Sequence, residues 1–182
     1  EFMREKTYFA KLCLLQISGP DRNAAAVDVL AGEEDLDLSP VWALFANPKI
    51  VKVFHAARQD LEIIYQLSGA LPSPLFDTQI AAMVCGYGDQ VGYESLVNDI
   101  CKTKADKSSQ FTDWTHRPLS AKQLTYALND VIFLKDIYTN LTSRLDQKGR
   151  GDWVLEETQN LLDPALYQFP PEDAWKRLKL RS

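Results

Sequence analysis

The chain has 182 residues, 46% of them hydrophobic and 25% charged, and a formal net charge of −5. That fits one domain with a sizeable core and excludes disordered and collagen-like classes; the charge argues against binding nucleic acid through an overall positive potential. The longest uncharged apolar runs, "VWALFA" (41–46) and "IAAMVC" (80–85), are too short to span a bilayer, and no signal-peptide pattern opens the chain, so a cytoplasmic protein is expected.

"KLCLLQISG" (11–19) and "AAAVDVLAG" (24–32) flank the turn residues "GPDRN" and read as adjacent antiparallel strands. "SPVWALFAN" (39–47) predicts a helix with Ser39 as N-cap, Pro40 at the first helical position and Asn47-Pro48 as its stop. "IVKVFHA" (50–56) is a β-branched strand, and "ARQDLEIIYQLSG" (57–69) a helix ending at Gly69. "PSPLFDTQIAAMVCGYG" (72–88) continues as a short strand and a helix closed by glycines, and "YESLVNDICK" (93–102) as another helix. The polar stretch 103–118 lacks periodicity and reads as a loop or lid. Beyond Pro118, apolar residues recurring every three and four predict one long helix capped by Ser120. "GDWVLEETQNLL" (151–162) supplies a last helix before a Pro-containing extension. Early strands mixed with helices, then a helical second half, define an α/β domain on a partly antiparallel sheet.

Cys13, Cys85 and Cys101 lack CxxC spacing and read as reduced, mostly buried thiols rather than a zinc site or disulfide framework. The basic stretches "RLDQKGR" (144–150) and "WKRLKLR" (175–181) are open to two readings, a solvated helix end or tail and a phosphate-contacting patch. Tyr126 and Asp130 stand at i and i+4 of the long helix, so both side chains share one face and could act on a common point. Asp60, in the first turns of the helix after "IVKVFHA", lies where strand ends and helix starts assemble sites, though a carboxylate there also suits the helix dipole. Glu1 by position alone is a chain end.

Taken together, the stretches "EFMREKTYFAKLCLLQIS", "KVFHAARQDLEIIYQLSG", "PLFDTQIAAMVCGYG", "KSSQFTDWTHRPLSAKQLTYALNDVIFL" and "DAWKRLK" resemble ribonuclease D, of the DEDDy group of 3′-to-5′ exonucleases, in family order. The resemblance implies a ribonuclease H-like mixed sheet flanked by helices. It implies an exonuclease domain over 1–165 with its first strand truncated, and 166–182 as a linker toward a helical HRDC-type domain that does not follow here. Carried over residue by residue, Glu1 matches the glutamate of the first motif, Asp60 the second-motif aspartate, and Tyr126 with Asp130 the third motif. The first-motif aspartate would lie two residues before Glu1, outside this chain. The chain is therefore expected to be part of a longer protein and, taken alone, to turn over little.

The activity implied is release of nucleoside 5′-monophosphates from RNA 3′ ends, tRNA precursors in particular. A related exonuclease acting on single-stranded DNA or short oligonucleotides, and an inactive nucleic-acid-binding module, are the alternatives. Oxygen ligands select Mg²⁺ or Mn²⁺, so Glu1, Asp60 and Asp130 are the expected ligands of two ions. Tyr126 is expected to orient the attacking water, since a phenol is a poor base by itself. Phe2, His55, Arg58, Gln59 and Arg117 are further candidates for substrate contact, with His55 equally readable as structural. Asp77 reads as the cap of the following helix, and Trp114 as an anchor of the loop.

Overall fold

In the computed structural model, which describes residues 1–4, 7–32, 36–104, 109, 112–168 and 172, short strands occupy the first half and helices the second. Strand β1 (Phe2–Met3) pairs antiparallel with β2 (Lys11–Leu12), placing Phe2 opposite Leu12. Glu1 continues this ladder. Its carbonyl accepts from the amides of both Cys13 (2.9 Å) and Leu14 (3.1 Å), and its own nitrogen donates to the Leu14 carbonyl at 2.6 Å. Two residues opposing one is a β-bulge, which bends the strand and re-aims the side chains around it. Cys13 and Leu14 are consecutive and both fully buried, as an interrupted alternation requires.

Strand β3 (Leu15–Ser18) follows the bulge and pairs antiparallel with β4 (Ala24–Val27), in the register Leu15 to Val27 and Ser18 to Ala24. The turn expected at "GPDRN" closes this hairpin, with Gly19 N–H donating to Asn23 O at 3.0 Å. Helix α1 (Ser39–Ala46) begins at the expected cap, one residue before Pro40: Ser39 is its first residue, and the exposed Asp37 carboxylate accepts from the Ser39 amide (2.8 Å) and hydroxyl (2.9 Å). Strand β5 (Lys52–Phe54) runs parallel to β6 (Leu75–Asp77), the crossover being made by α2 (Arg58–Ser68). Gly69 ends α2 at φ 72°, the left-handed conformation that terminates helices. Among the described residues the mixed sheet expected from the sequence is present as three two-stranded ladders, two antiparallel and one parallel.

Helix α3 (Thr78–Cys85) starts at once from β6, and Gly86 closes it. The helix expected over 93–102 is one α-helical turn, α4 (Tyr93–Leu96), that widens into a π turn at Val97–Cys101. The long helix expected after Pro118 is two: α5 (Ala121–Ile132) and α6 (Leu134–Lys148), broken at Phe133 (φ −94°, ψ −6°). Ser120 caps α5 as expected, and Gln123 reaches back to complete a capping box. Helix α7 (Gly151–Leu161) follows, and after it a single 3-10 turn at Pro164–Leu166.

The main core gathers Ala81, Ala82 and Cys85 of α3, Leu96 and Val97, Ile137, Leu141 and Leu145 of α6, and Val154 of α7. A second cluster joins Cys13 and Leu14 to Trp114, Tyr126 and Ala127, so α5 packs on the β3–β4 hairpin. The run of alanines in β4 lets the helix approach that hairpin closely. A third cluster brings the buried Tyr167 onto Ala57, Leu61 and Leu75. Most of the expected 166–182 linker, with the basic stretch 175–181, lies outside the described residues. All three cysteines are free, Cys13 and Cys85 buried and Cys101 partly so. Among the described residues no helix is long and apolar enough to cross a membrane.

Candidate active site

Three elements carry the four residues expected at the site. Glu1 is set by the bulge on the edge of β1, Asp60 by the first turn of α2, and Tyr126 and Asp130 by successive turns of α5. The Asp130 carboxyl is pushed well above the usual carboxylate range, first by burial and then by the Glu1 charge, with the Tyr126 phenol acting in the opposite sense. Asp60 is pushed up to about 6, chiefly by burial and further by the charges of Glu1 and Asp77. Carboxyl groups crowded in this way oppose one another's ionisation until a cation or a proton intervenes.

The donors are all hard oxygens, the set that suits Mg²⁺ or Mn²⁺. Among the described residues no three His, Cys, Asp or Glu side chains are gathered into a group that could already hold a metal ion. The Glu1 nitrogen also donates to Gln16 Oε1 at 3.1 Å, and Gln16 Nε2 stands 3.5 Å from Glu1 Oε1.

Asp77 does more than cap α3. Its carboxylate, 2% exposed, accepts from Gln79 N (2.7 Å) and Ile80 N (3.4 Å) and also from Ala56 N (3.1 Å) and Ala57 N (2.8 Å). Ala56 adopts φ 55°, so the carboxylate holds a strained corner from which α2 and Asp60 depart. His55 at that corner has Nδ1 2.9 Å from Thr78 Oγ1, which donates to Phe54 O at 3.0 Å. Burial holds its imidazole below the ordinary value, the Asp77 charge opposing. This matches the structural reading of His55. Arg58 and Gln59 are exposed in the first turn of α2, and Phe2 is half-buried in β1.

Arg117 departs from its expected role at substrate phosphate. Its guanidinium is occupied inside the protein by Asp28 and by the carbonyls of Cys13, Trp114 and His116. Trp114 is 1% exposed, with its ring 6.0 Å from that of Tyr126, and so anchors the loop. Residues 105–108, 110 and 111 of that loop lie outside the described residues. Of the stretch 144–150, Arg144 stacks on Tyr87, Arg150 stacks on Trp153, and Lys148 donates to Cys85 O at 2.9 Å, which favours the structural reading.

Sequence reasoning missed Tyr93. Its hydroxyl donates to Asn129 O at 2.9 Å, its ring lies edge-on to His55, and burial with the Asp130 charge raises its phenol. A tyrosine after Gly92 at the start of a short helix carries no signal of that placement.

With this α/β scaffold, the chain belongs to the 3′-5′ exonuclease family, whose sequence model matches residues 1–146. It is 55% identical over its whole length to ribonuclease D of Acidiphilium cryptum (strain JF-5), of which it covers 45%. It therefore spans about half the length of the curated relatives it matches. Among solved structures it is similar to Escherichia coli RNase D, described as an exoribonuclease involved in structured RNA processing. That likeness has a TM-score of 0.88 and 35% identity over 97% of this chain and 46% of that one. It is also similar to Brucella melitensis NrnC with bound Mg²⁺, at a TM-score of 0.74 and 27% identity over 95% of this chain and 82% of that one. The ribonuclease H-like α/β fold is the one these relatives share.

Proposed function

We propose that this chain is the catalytic part of a metal-dependent 3′-to-5′ exoribonuclease that releases nucleoside 5′-monophosphates from RNA ends, tRNA precursors among them, in the cytoplasm. The observation that carries the reading is that the Glu1 charge raises both the buried Asp60 and the buried Asp130 carboxyls, with Tyr126 acting on Asp130 in the opposite sense. The similarity to ribonuclease D over the full chain supports RNA as substrate, and the Mg²⁺ bound by the Brucella relative supports a divalent ion.

Glu1, Asp60 and Asp130 would hold the ions, which when bound supply a hydroxide at neutral pH and neutralise charge on the departing oxygen. Tyr126, one turn from Asp130 on α5, would orient the attacking water. The bulge sets Glu1, and the Asp77 corner sets Asp60, each against helix α5.

The test is cleavage of 5′-labelled single-stranded RNA and DNA with Mg²⁺, Mn²⁺ or EDTA, by the chain as it stands, by one extended upstream to supply the first-motif aspartate, and by Asp130→Asn. A 3′-to-5′ ladder on RNA that needs metal and vanishes in the variant is expected. Activity that survives Asp130→Asn refutes the site.

A further inference from the structure

We propose that Arg117, held by Asp28, is a positioning residue that fixes the strand carrying Glu1 against the helix carrying Tyr126 and Asp130. Three chain segments meet at its guanidinium. Nε donates to Asp28 Oδ1 (3.0 Å) and Oδ2 (2.8 Å), from the residue that follows β4. Nη2 donates to Asp28 Oδ1 (2.6 Å) and to Cys13 O (2.9 Å). Nη1 donates to Trp114 O and His116 O, both at 2.8 Å.

A guanidinium has five N–H groups on three nitrogens, and all three nitrogens are engaged here. No free edge is turned toward a phosphate, and the side chain is only 22% exposed. The partners explain what the fork holds. Cys13 is the extra residue of the bulge, and its amide donates to Glu1 O, so the peptide groups of Cys13 link Arg117 directly to the backbone of Glu1. Trp114 packs on the Tyr126 ring, and Arg117 lies three residues before Ser120, the cap of α5. Asp28 neutralises the buried charge and fixes the plane of the fork, so that the three carbonyls are met at once. Lysine, a point charge with one donor atom, cannot span this set.

The inference rests on the nuclease reading only where activity is measured; the backbone measurement is independent of it. Wild type, Arg117→Lys and Asp28→Asn are compared as full chains at matched folded fraction. In both variants amide hydrogen exchange at Cys13 and Leu14 is expected to accelerate, and Mn²⁺ affinity by titration calorimetry to fall ~10-fold, the range of outer-sphere positioning partners. Turnover is expected to fall ~10- to 100-fold with KM for RNA and its salt dependence unchanged.

Raised KM with a shallower salt slope in Arg117→Lys, beside a wild-type-like Asp28→Asn, would overturn the proposal in favour of a phosphate contact. Unchanged exchange at Cys13 and Leu14 overturns it too, even if thermal stability drops. If neither this chain nor one extended upstream shows metal-dependent cleavage, the function fails on its own, and the exchange rates still decide the positioning role.

Discussion

Tyr126 and Asp130 stand one turn apart on α5, and the Asp130 carboxyl is pushed up by burial and by the Glu1 charge while the Tyr126 phenol opposes the rise. The phenol thus stabilises the ionised form of a carboxylate that burial and Glu1 disfavour. Tyr126→Phe keeps the buried ring and its packing on Trp114, so stability should change by only about 1 kcal/mol. Turnover should fall by roughly 10- to 100-fold, as for a lost positioning contact, and the Asp130 carboxyl should titrate still higher. Steady-state kinetics and an NMR titration of the metal-free chain check both. A variant of undiminished turnover removes Tyr126 from the mechanism.

The acidic group at Asp60 makes metal-free stability depend on pH. Its carboxyl is raised to about 6 in the folded chain. A carboxyl raised by folding stabilises the fold while protonated: that contribution is full below the unfolded value near ~3.9 and is lost as pH rises through about 6. The loss is on the order of 2 kcal/mol. In EDTA the melting temperature should therefore decline between pH 4 and pH 7 more in wild type than in Asp60→Asn. Mn²⁺ should recover it at pH 8 and do little at pH 4.

Asp28 gives the opposite sign at lower pH. Arg117 beside it, by hydrogen bond first, holds its carboxyl below the usual range. The stability it contributes is present above the unfolded value near ~3.9 and is lost as pH falls through the lower folded value. With both side chains part-exposed, the contribution should be about 1 kcal/mol or less. Asp28→Asn should flatten the acid limb of a denaturation profile without altering the limb between pH 4 and 7.

Asp77→Ala strips four backbone amides of their acceptor, two of them at the Ala56–Ala57 corner. Losing a cap and leaving a buried donor unpaired should cost about 3 kcal/mol, or roughly 6–12 °C in Tm for a chain of this size. Thermal denaturation followed by circular dichroism reads the change. A shift under 2 °C would show that the corner holds without the carboxylate.

Local relations were legible in the sequence and distant ones were not. Tyr126 and Asp130 were readable because helical spacing fixes their common face, and Ser120, Gly69 and Asp77 because caps are local chemistry. The second half of Asp77's role spans 20 and 21 residues and the Arg117 fork spans 89 and 104, separations that no periodicity encodes. The break at Phe133 left no mark because the apolar pattern continues through it, with neither proline nor glycine to announce it. Arg117 was placed at phosphate for the same reason: an arginine near a site resembles a ligand contact until its partners are known.

The bulge at Cys13 and Leu14 bears on how the chain tolerates changes of length. Side chains before and after it answer to opposite faces, so deleting or adding one residue between Lys11 and Ser18 would turn Gln16 and Ile17 over and carry the backbone partner of Glu1 out of register. Insertions are better borne between β1 and β2, ahead of Lys11, where the ladder beyond is unaffected. Length variation among relatives should accordingly gather before Lys11 and be shunned through Ser18, making this short segment a ruler against which the acidic site is measured.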